Sequence, residues 1–354
     1  MIQVEQTFLD PNEIPIVWRV TQGNDADIDV VVDWLSERKQ AVSELLDRHG
    51  GVLLRGFTAI NSAERFEKAL DVLAPELMDY IGGTAPRHTV RGRILTSTDL
   101  PQNYTLALHQ EMAYTANPPD NIAFFCEVPP AEGGETTVAD ARIVTRQIDP
   151  EVRARFERRG VGVRRTLPTE ASVNKKPGIP KAWTDVFETK DPEVVERIAL
   201  EKGWKVGWLP DSSLQLWQEL LPGFKTHPRT GVRVWFNQVH YHAPECTLLW
   251  AQRDGRLDQI AEIKRAMLDH PEMLNYVFHR DGSRVAPEDA EHIWDVLVQS
   301  EIPMRWQACD LLLLDNVLAM HGRRAFRGNR RILAALIRNR AGARTSTELA
   351  HATV

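Results

Sequence analysis

The pattern of apolar and polar positions along this chain predicts five helices and eight short strands. Apolar residues recur at helical spacing in residues 31–49, and Ser62 is a plausible start for a second helix. Further helices are predicted over 191–202, 255–269 and 287–299. Short runs rich in Val, Ile, Leu, Phe or Trp, separated by Gly, Pro, Asn or Asp, predict strands. The predicted strands are 51–55, 93–97, 104–108, 121–128, 233–237, 310–314, 317–321 and 332–337.

The order of these elements favours a mainly β fold with helical insertions. The strands are dispersed among insertions and lack the regular strand–helix alternation of a Rossmann sheet, so we expect an antiparallel barrel or jelly roll. No segment looks like an interdomain linker. We therefore expect one domain over residues 1–354, with a long insertion at about 140–230.

Composition narrows the classes of partner and compartment. The chain has 354 residues and a formal net charge of −6, which argues against a nucleic-acid partner, because such proteins favour a basic face. Three scattered cysteines without a CxxC pair suit a reducing compartment. The first residues do not resemble a secretory signal, and the apolar runs are far too short for a membrane span. We expect a cytoplasmic protein that binds neither nucleic acid nor membrane.

The first candidate for chemistry is the sequence LHQE at the end of a predicted strand. Side chains alternate faces along a strand, so His109 and Glu111 should point to one side and Gln110 to the other. An imidazole and a carboxylate on one face supply two ligands to a divalent metal. On its own this pattern is weak, since a histidine beside a glutamate is usually an exposed polar pair.

The second candidate is His321, which an apolar run brings to the end of another predicted strand. Two histidines and one carboxylate would cap one face of a metal and leave three positions open, as in the facial sites that hold Fe(II) for oxygen chemistry. A structural zinc site would require four protein ligands. Two alternatives stay open: a zinc-dependent hydrolase using the same three ligands, and a non-catalytic metal-binding barrel.

Two further residues point to a ligand that carries a carboxylate. Arg331 opens the strand RILAALI in phase with the apolar Leu333, Ala335 and Ile337, where an arginine is costly unless it meets a carboxylate. The alternative is that Arg331 belongs to a solvated basic loop. Thr136 follows two glycines that predict a tight turn into the barrel, and its hydroxyl would be available to a ligand.

The ordered motifs together resemble the taurine dioxygenase and clavaminate synthase-like superfamily, and within it the branch of the syringomycin aspartyl-hydroxylase. The matching segments are LHQEMAY, PPDNIAFFCEVPPAEGGETTVAD, WFNQ and DNVLAMHGRRAFRGNRRILAAL, with YIGGTAPRHTVRGRILTSTDLP, AWTDVFET and HPRTGVRVWFNQ for the branch. The resemblance runs from about residue 50 to residue 339 and implies a double-stranded β-helix core flanked by α-helices.

The resemblance also implies an enzyme, a non-haem iron dioxygenase that uses 2-oxoglutarate and O2. By this resemblance His109, Glu111 and His321 are the Fe(II) ligands, and Arg331 and Thr136 hold the far carboxylate of 2-oxoglutarate. The implied reaction hydroxylates an unactivated C–H bond and releases succinate and CO2. The implied substrate is a small molecule, an amino acid or an amino-acid-derived intermediate of natural-product biosynthesis, either free or presented on a carrier protein. Ala335 stands where relatives have a second arginine, so taurine-type substrate anchoring is not expected.

Overall fold

A computed structural model of the chain describes residues 2–9, 11, 14–74, 76–79, 87–172 and 182–339. The helices of this part, in chain order, are α1 Ile28–His49, α2 Ala63–Leu73, α3 Ala141–Gln147, α4 Pro150–Arg159, α5 Trp183–Phe187, α6 Pro192–Glu201, α7 Val239–His242, α8 Pro244–Arg253, α9 Leu257–Asp269 and α10 Pro287–Gln299, with a 3-10 turn at Pro271–Met273. Of the expected domain over 1–354, residues 340–354 lie outside the described residues.

The strands are more numerous and mostly short. In chain order they are β1 Gln3–Phe8, β2 Ile16–Gln22, β3 Gly51–Arg55, β4 Glu76–Met78, β5 Thr89–Arg91, β6 Ile94–Thr96, β7 Leu106–His109, β8 Asn121–Val128, β9 Glu132–Gly133, β10 Thr136–Asp140, β11 Gly162–Leu167, β12 Lys205–Trp208, β13 Leu214–Trp217, β14 Phe224–Thr226, β15 Arg233–Trp235, β16 Tyr276–Phe278, β17 Ile302–Met304, β18 Leu311–Asp315, β19 Ala319–Arg323, β20 Phe326–Arg327 and β21 Arg331–Arg338. Each predicted strand corresponds to one of these, with ends shifted by a few residues.

Helix α1 shows how local sequence sets the element boundaries. The Asp27 side chain accepts a hydrogen bond from the backbone N–H of Asp29 and caps the first turn. The helix ends where Gly50 adopts a left-handed conformation, φ 70°, and its N–H donates to Leu46 O. Because strand β3 begins at the next residue, this turn directs the chain from the helical layer into the sheet.

The larger sheet has the order β1-β2-β3-β18-β8-β21-β6-β5, with β4 also paired to β21. One face is covered by α1 and α2, in an apolar cluster that includes Phe66, Phe125 and Leu333. The opposite face shares a second cluster with a smaller sheet of order β17-β10-β19-β7, where Phe124 and Ala334 meet Val138 of the smaller sheet. Two facing sheets, antiparallel except for the parallel pair β2 and β3, have helices outside them and confirm the predicted jelly roll.

The insertion is longer than the stretch of about 140–230 that the sequence indicated. The chain leaves the smaller sheet after Asp140 and returns to it at Ile302, since β10 pairs with both β17 and β19. The intervening residues form α3 to α10 and a separate four-stranded sheet of order β12-β13-β11-β16. Residues 173–181 of this insertion lie outside the described residues. Among the helices the structure describes, none has the length and apolar character that crossing a membrane requires.

Candidate metal centre

The structure brings His109, Glu111 and His321 together inside the jelly roll. Strands β7 and β19 are antiparallel neighbours, and His321 lies directly opposite His109 in their register. One ligand atom from each of the three side chains lies within 4.8 Å of the others, and the two imidazole centroids are 4.4 Å apart. Glu111 and His321 are buried and His109 is half-buried. Two imidazoles and a carboxylate fit Fe(II), because ligands on one side of the ion leave its other coordination positions open.

Glu111 is positioned by a contact that strand alternation does not provide. Strand β7 ends at His109, so Glu111 already lies in a turn. The buried side chain of Asn316 holds its backbone: Oδ1 accepts from Glu111 N at 2.7 Å, and Nδ2 donates to Glu111 O at 2.9 Å. Nδ2 also donates to Pro119 O at 2.9 Å. The amide of Asn316 therefore pairs with the peptide groups of Glu111 as a neighbouring strand would.

The ring of His109 is oriented so that one nitrogen stays available. Its Nδ1 lies 3.0 Å from Ala107 O, which makes Nδ1 the protonated nitrogen and leaves the lone pair of Nε2 for a metal. Tyr241 packs edge-on against this ring at 5.4 Å between centroids, and its hydroxyl donates to the same carbonyl at 2.9 Å. Burial, and then the charge of His321, lower the pKa of His109 to about 3, so the ring is neutral at physiological pH.

Glu111 is held as a carboxylate by Arg87. Arg87 Nη2 lies 2.8 Å from Glu111 Oε2, and the exposed fractions of the two side chains are only 4% and 6%. Burial alone would raise the pKa of Glu111, but the charge of Arg87, followed by the hydrogen bond from His321, brings this pKa well below its ordinary range. Arg87 stands 24 positions before Glu111 in the chain, and no local sequence pattern links the two. The structure places it against the ligand set.

A second group with metal-ligating side chains, Asp47, His227 and Asp315, has a structural explanation. His227 Nε2 lies 2.9 Å from Asp315 Oδ2, while the guanidinium of Arg229 is 2.7 Å from Asp47 and supplies the positive charge. The other oxygen of Asp315 accepts from the backbone N–H groups two and three residues further on. This network fixes the turn between β18 and β19, and β19 carries His321.

Arg331 is not where the sequence predicted it. Its side chain is 53% exposed and its Nε lies 2.7 Å from Glu127 Oε2 at the protein surface. It is in phase with Leu333 and Ala335, as predicted, but that apolar face of β21 packs against the helical layer. The barrel interior is lined by the opposite face, with Ile332. Both faces of β21 are apolar, so alternation alone did not reveal which one faces the site.

The neighbouring Arg330 is the arginine that points inward. It is half-buried and in phase with Ile332, whose cluster contains Phe124, and the Phe124 ring is 5.0 Å from that of His321. Its nitrogen atoms bond Gly134 O at 3.1 Å and Ser97 Oγ at 3.5 Å, and no ion pair joins it to a carboxylate of the described residues. Burial, then the charge of Arg323, lower the pKa of Arg330 to about 9. This is the sign expected of a desolvated cation that lacks an anion.

Thr136 lies close to Arg330 at the entry of β10. It is buried, and its hydroxyl accepts a hydrogen bond from Trp306 Nε1 at 3.0 Å, which leaves the hydroxyl hydrogen free to donate. The turn before it requires glycine, as predicted: Gly133 and Gly134 both have φ 68°, and a Cβ on Gly133 would overlap the backbone of Ala325. The carbonyl of Gly134 is the one that binds Arg330.

Similarity to known proteins extends over most of the chain. Residues 15–336 match the family model for the taurine catabolism dioxygenase TauD, TfdA family. The dapdiamide synthesis protein DdaC of Enterobacter agglomerans is 30% identical over 297 residues, 84% of each chain. A clavaminate synthase-like protein of Arabidopsis thaliana is 28% identical over 305 residues, 85% of this chain and 86% of the other.

Among solved structures, the PvcB protein from Pseudomonas aeruginosa shares the fold, with a TM-score of 0.50, 15% identity, and coverage of 96% of this chain and 91% of the other. The chain therefore belongs to the TauD, TfdA family and is a non-haem dioxygenase that depends on Fe(II) and 2-oxoglutarate.

Proposed function

We propose that His109, Glu111 and His321 hold the iron, and that Arg330 and Thr136 bind the far carboxylate of 2-oxoglutarate. The observation that carries this assignment is the inward-facing Arg330, a cation to which no described carboxylate is paired. A bidentate ion pair with a dicarboxylate would offset the desolvation of its guanidinium. Arg331 already has a surface partner and is replaced by Arg330 in this role.

The metal ligands and the 2-oxoglutarate-binding residues have different roles in the proposed reaction. The three ligands come from β7, the turn after it and β19, so iron would be held on one side only and its other positions would face the barrel interior. Bound there, iron, 2-oxoglutarate and O2 together supply the oxidation: one oxygen atom enters the substrate C–H bond and the other enters succinate, with release of CO2. Arg330 and Thr136 orient the co-substrate, and the apolar side chains around Phe124 exclude water.

The substrate is proposed to be an amino acid or a molecule derived from one, hydroxylated at an unactivated C–H bond during natural-product biosynthesis. The similarity to a dapdiamide synthesis protein over 84% of the chain supports this. The substrate would be a small molecule, free or attached to a carrier protein. The three free cysteines, of which two are buried, agree with a reducing, cytoplasmic setting.

The decisive experiment is an anaerobic titration of the protein with Fe(II) and then with 2-oxoglutarate. We expect the weak visible absorption band of the 2-oxoglutarate–iron chelate to appear only when both are present. The band should be absent from His321→Ala, whose loss removes one of the three ligands. A wild-type protein that binds Fe(II) but never develops the band would contradict the assignment of the site.

The same titration separates the alternative of a zinc-dependent hydrolase. That activity would use a metal-bound water and would be independent of 2-oxoglutarate. It would give Arg330 no role, although this desolvated cation has no ion pair with a carboxylate of the described residues. Family membership favours the dioxygenase as well.

A further inference from the structure

The separate sheet of the insertion carries two buried polar side chains on one face. Arg165 of β11 lies opposite Leu216 of β13, and Gln218 follows two residues later, with its N–H donating to Val163 O at 2.9 Å. Residues two apart on a strand point to the same side, so Arg165 and Gln218 share a face. Their exposed fractions are 9% and 6%.

A third polar side chain reaches this place from helix α7. His242 is 7% exposed and lies edge-on to Tyr114, with 6.5 Å between ring centroids. Helix α7, which carries His242, contacts β11, the strand that carries Arg165. Burial, and then the charge of Arg165, lower the pKa of His242 to about 3, so the imidazole is neutral.

This group of residues borders the metal centre. Helix α7 packs on the ligand segment, since the Tyr241 ring contacts His109 and Gln238 Nε2 donates to Gln110 O at 2.8 Å. Glu219, the residue after Gln218, accepts from the N–H of Ala116 at 3.1 Å and joins the insertion to the turn that follows Glu111.

Three hydrogen-bonding atoms in this group have no partner among the residues that the structure describes. Both ring nitrogens of His242 and Oε1 of Gln218 are buried and make no hydrogen bond. Buried polar groups in native proteins are nearly always paired, because an unmet one is destabilising. These two exceptions lie in segments that contact the turn carrying Glu111, and a ligand bound there would supply the missing partners.

We propose that Arg165, Gln218 and His242 form the subsite that recognises the polar end of the substrate. An arginine selects a carboxylate, and the unpaired Gln218 oxygen accepts only from an N–H or O–H donor. A neutral imidazole donates with one nitrogen and accepts with the other. The subsite therefore fits a carboxylate adjacent to an N–H group, the pattern of an α-amino acid or its N-acyl derivative. The inference rests on the proposed function, because it assumes that the substrate binds next to the iron.

The test compares Gln218→Leu and His242→Phe with a matched control, Gln215→Leu. Gln215 lies on the same strand as Leu216 but faces the other way, and its Nε2 donates to Glu272 O at 2.9 Å. The probes are the proteinogenic L-amino acids, their N-acetyl derivatives and the methyl esters of both, each added to the anaerobic Fe(II)–2-oxoglutarate protein while the visible band is followed.

We expect at least one free acid to perturb the wild-type band and its methyl ester to fail. Affinity for that acid should fall by about tenfold or more in Gln218→Leu and in His242→Phe, and stay unchanged in Gln215→Leu. Full affinity in both subsite variants, or equal binding of the ester, would overturn the assignment. So would the absence of any response to all of the probes.

Two readouts make the result unambiguous. Formation of the band without probe tests the proposed function by itself, so its failure is distinct from failure of the subsite. Thermal unfolding of the iron- and 2-oxoglutarate-loaded variants tests a purely structural role. Replacing an unpaired polar group by an apolar one should leave the midpoint equal or higher. A clear fall in the midpoint of both variants would show that these side chains support the fold, and would overturn the proposal.

Discussion

Replacing Arg330 by Ala should weaken 2-oxoglutarate binding far more than Fe(II) binding. Arg330 is the residue before β21, and its side chain points into the barrel interior. There it bonds Gly134 O and Ser97 Oγ and has no ion-pair partner among the described residues. It is close to the region of Thr136 but is not part of the metal cluster. Removing it should therefore leave the three metal ligands in place and remove the charge that meets the co-substrate.

The expected loss of 2-oxoglutarate affinity follows from removing the arginine of a buried, charge-assisted pair with the 2-oxoglutarate carboxylate. Such a truncation costs about 2–5 kcal/mol, because the remaining charge is left without a partner. At about 1.4 kcal/mol per factor of ten, affinity for 2-oxoglutarate should fall by about thirty-fold or more. Arg330→Lys should recover only part of this loss, because an ammonium cannot reproduce the two-point contact of a guanidinium.

The assay is the anaerobic titration of the Fe(II)-loaded variants with 2-oxoglutarate, and Arg331→Ala is the matched control. Arg331 loses only an exposed ion pair with Glu127, worth about 0–1 kcal/mol of stability, and should bind 2-oxoglutarate normally. Strong loss of affinity in Arg331→Ala with none in Arg330→Ala would refute the inward orientation of Arg330. Normal binding by both variants would remove the arginine from the proposed co-substrate site.

Three further outcomes are expected. His321→Ala should abolish substrate-dependent succinate formation while circular dichroism shows a folded protein; near-normal turnover would exclude His321 as a ligand. Asn316→Leu should lower Fe(II) affinity by about 10–100-fold, because it removes the side chain that holds the backbone of Glu111. The control Asn237→Leu removes buried hydrogen bonds to Gly223 O and Val239 N and should lower stability without lowering Fe(II) affinity. An equal loss of Fe(II) affinity in both variants would show a general packing effect. Burial lowers the pKa of His109 and of His242 to about 3 from 6.5, so below about pH 6.5 the unfolded chain binds protons that the metal-free folded protein does not. The free energy of unfolding of the metal-free protein should therefore fall as pH decreases from about 6.5 toward about 3, by up to about 1.4 kcal/mol per pH unit for each histidine. Urea unfolding at pH 7 and at pH 5 should show a smaller fall in His242→Phe than in the wild type. An equal fall in the two proteins would mean that His242 is not buried in its neutral form.

The sequence predicted the three clustered residues because their signals are local. His109 ends a short alternating strand, and His321 follows an apolar run that is buried throughout. The fold class followed from the same strand pattern. The sequence predicted that Arg331 faces the barrel interior, whereas the structure places Arg330 there. The prediction was wrong because apolar residues line both faces of β21, so the alternation did not show which face is interior.

The supports of the site could not be read from the sequence because they join distant segments. Arg87 meets Glu111 across 24 positions, and Asn316 meets it across 205. The Asp-Asn pair before the apolar VLAM run was visible in the sequence, but only the folded chain shows that Asn316 faces the Glu111 peptide. Likewise, the end of the insertion at Ile302 depends on which strand β10 pairs with, and that is a property of the tertiary structure.

The antiparallel pairing of β7 with β19 has a consequence for how the protein acquires its metal. His109 and His321 are cross-strand neighbours although strands β8, β10 and β18 and the whole insertion lie between them in the chain. Contacts so remote in sequence form late and slowly, because a very large loop must close first. During synthesis, a chain that has not yet emerged beyond β19 has only two of the three proposed ligands and lacks the strand that aligns them. Metal capture therefore belongs to the last stage of folding, and the nascent chain must stay soluble until then without the ion.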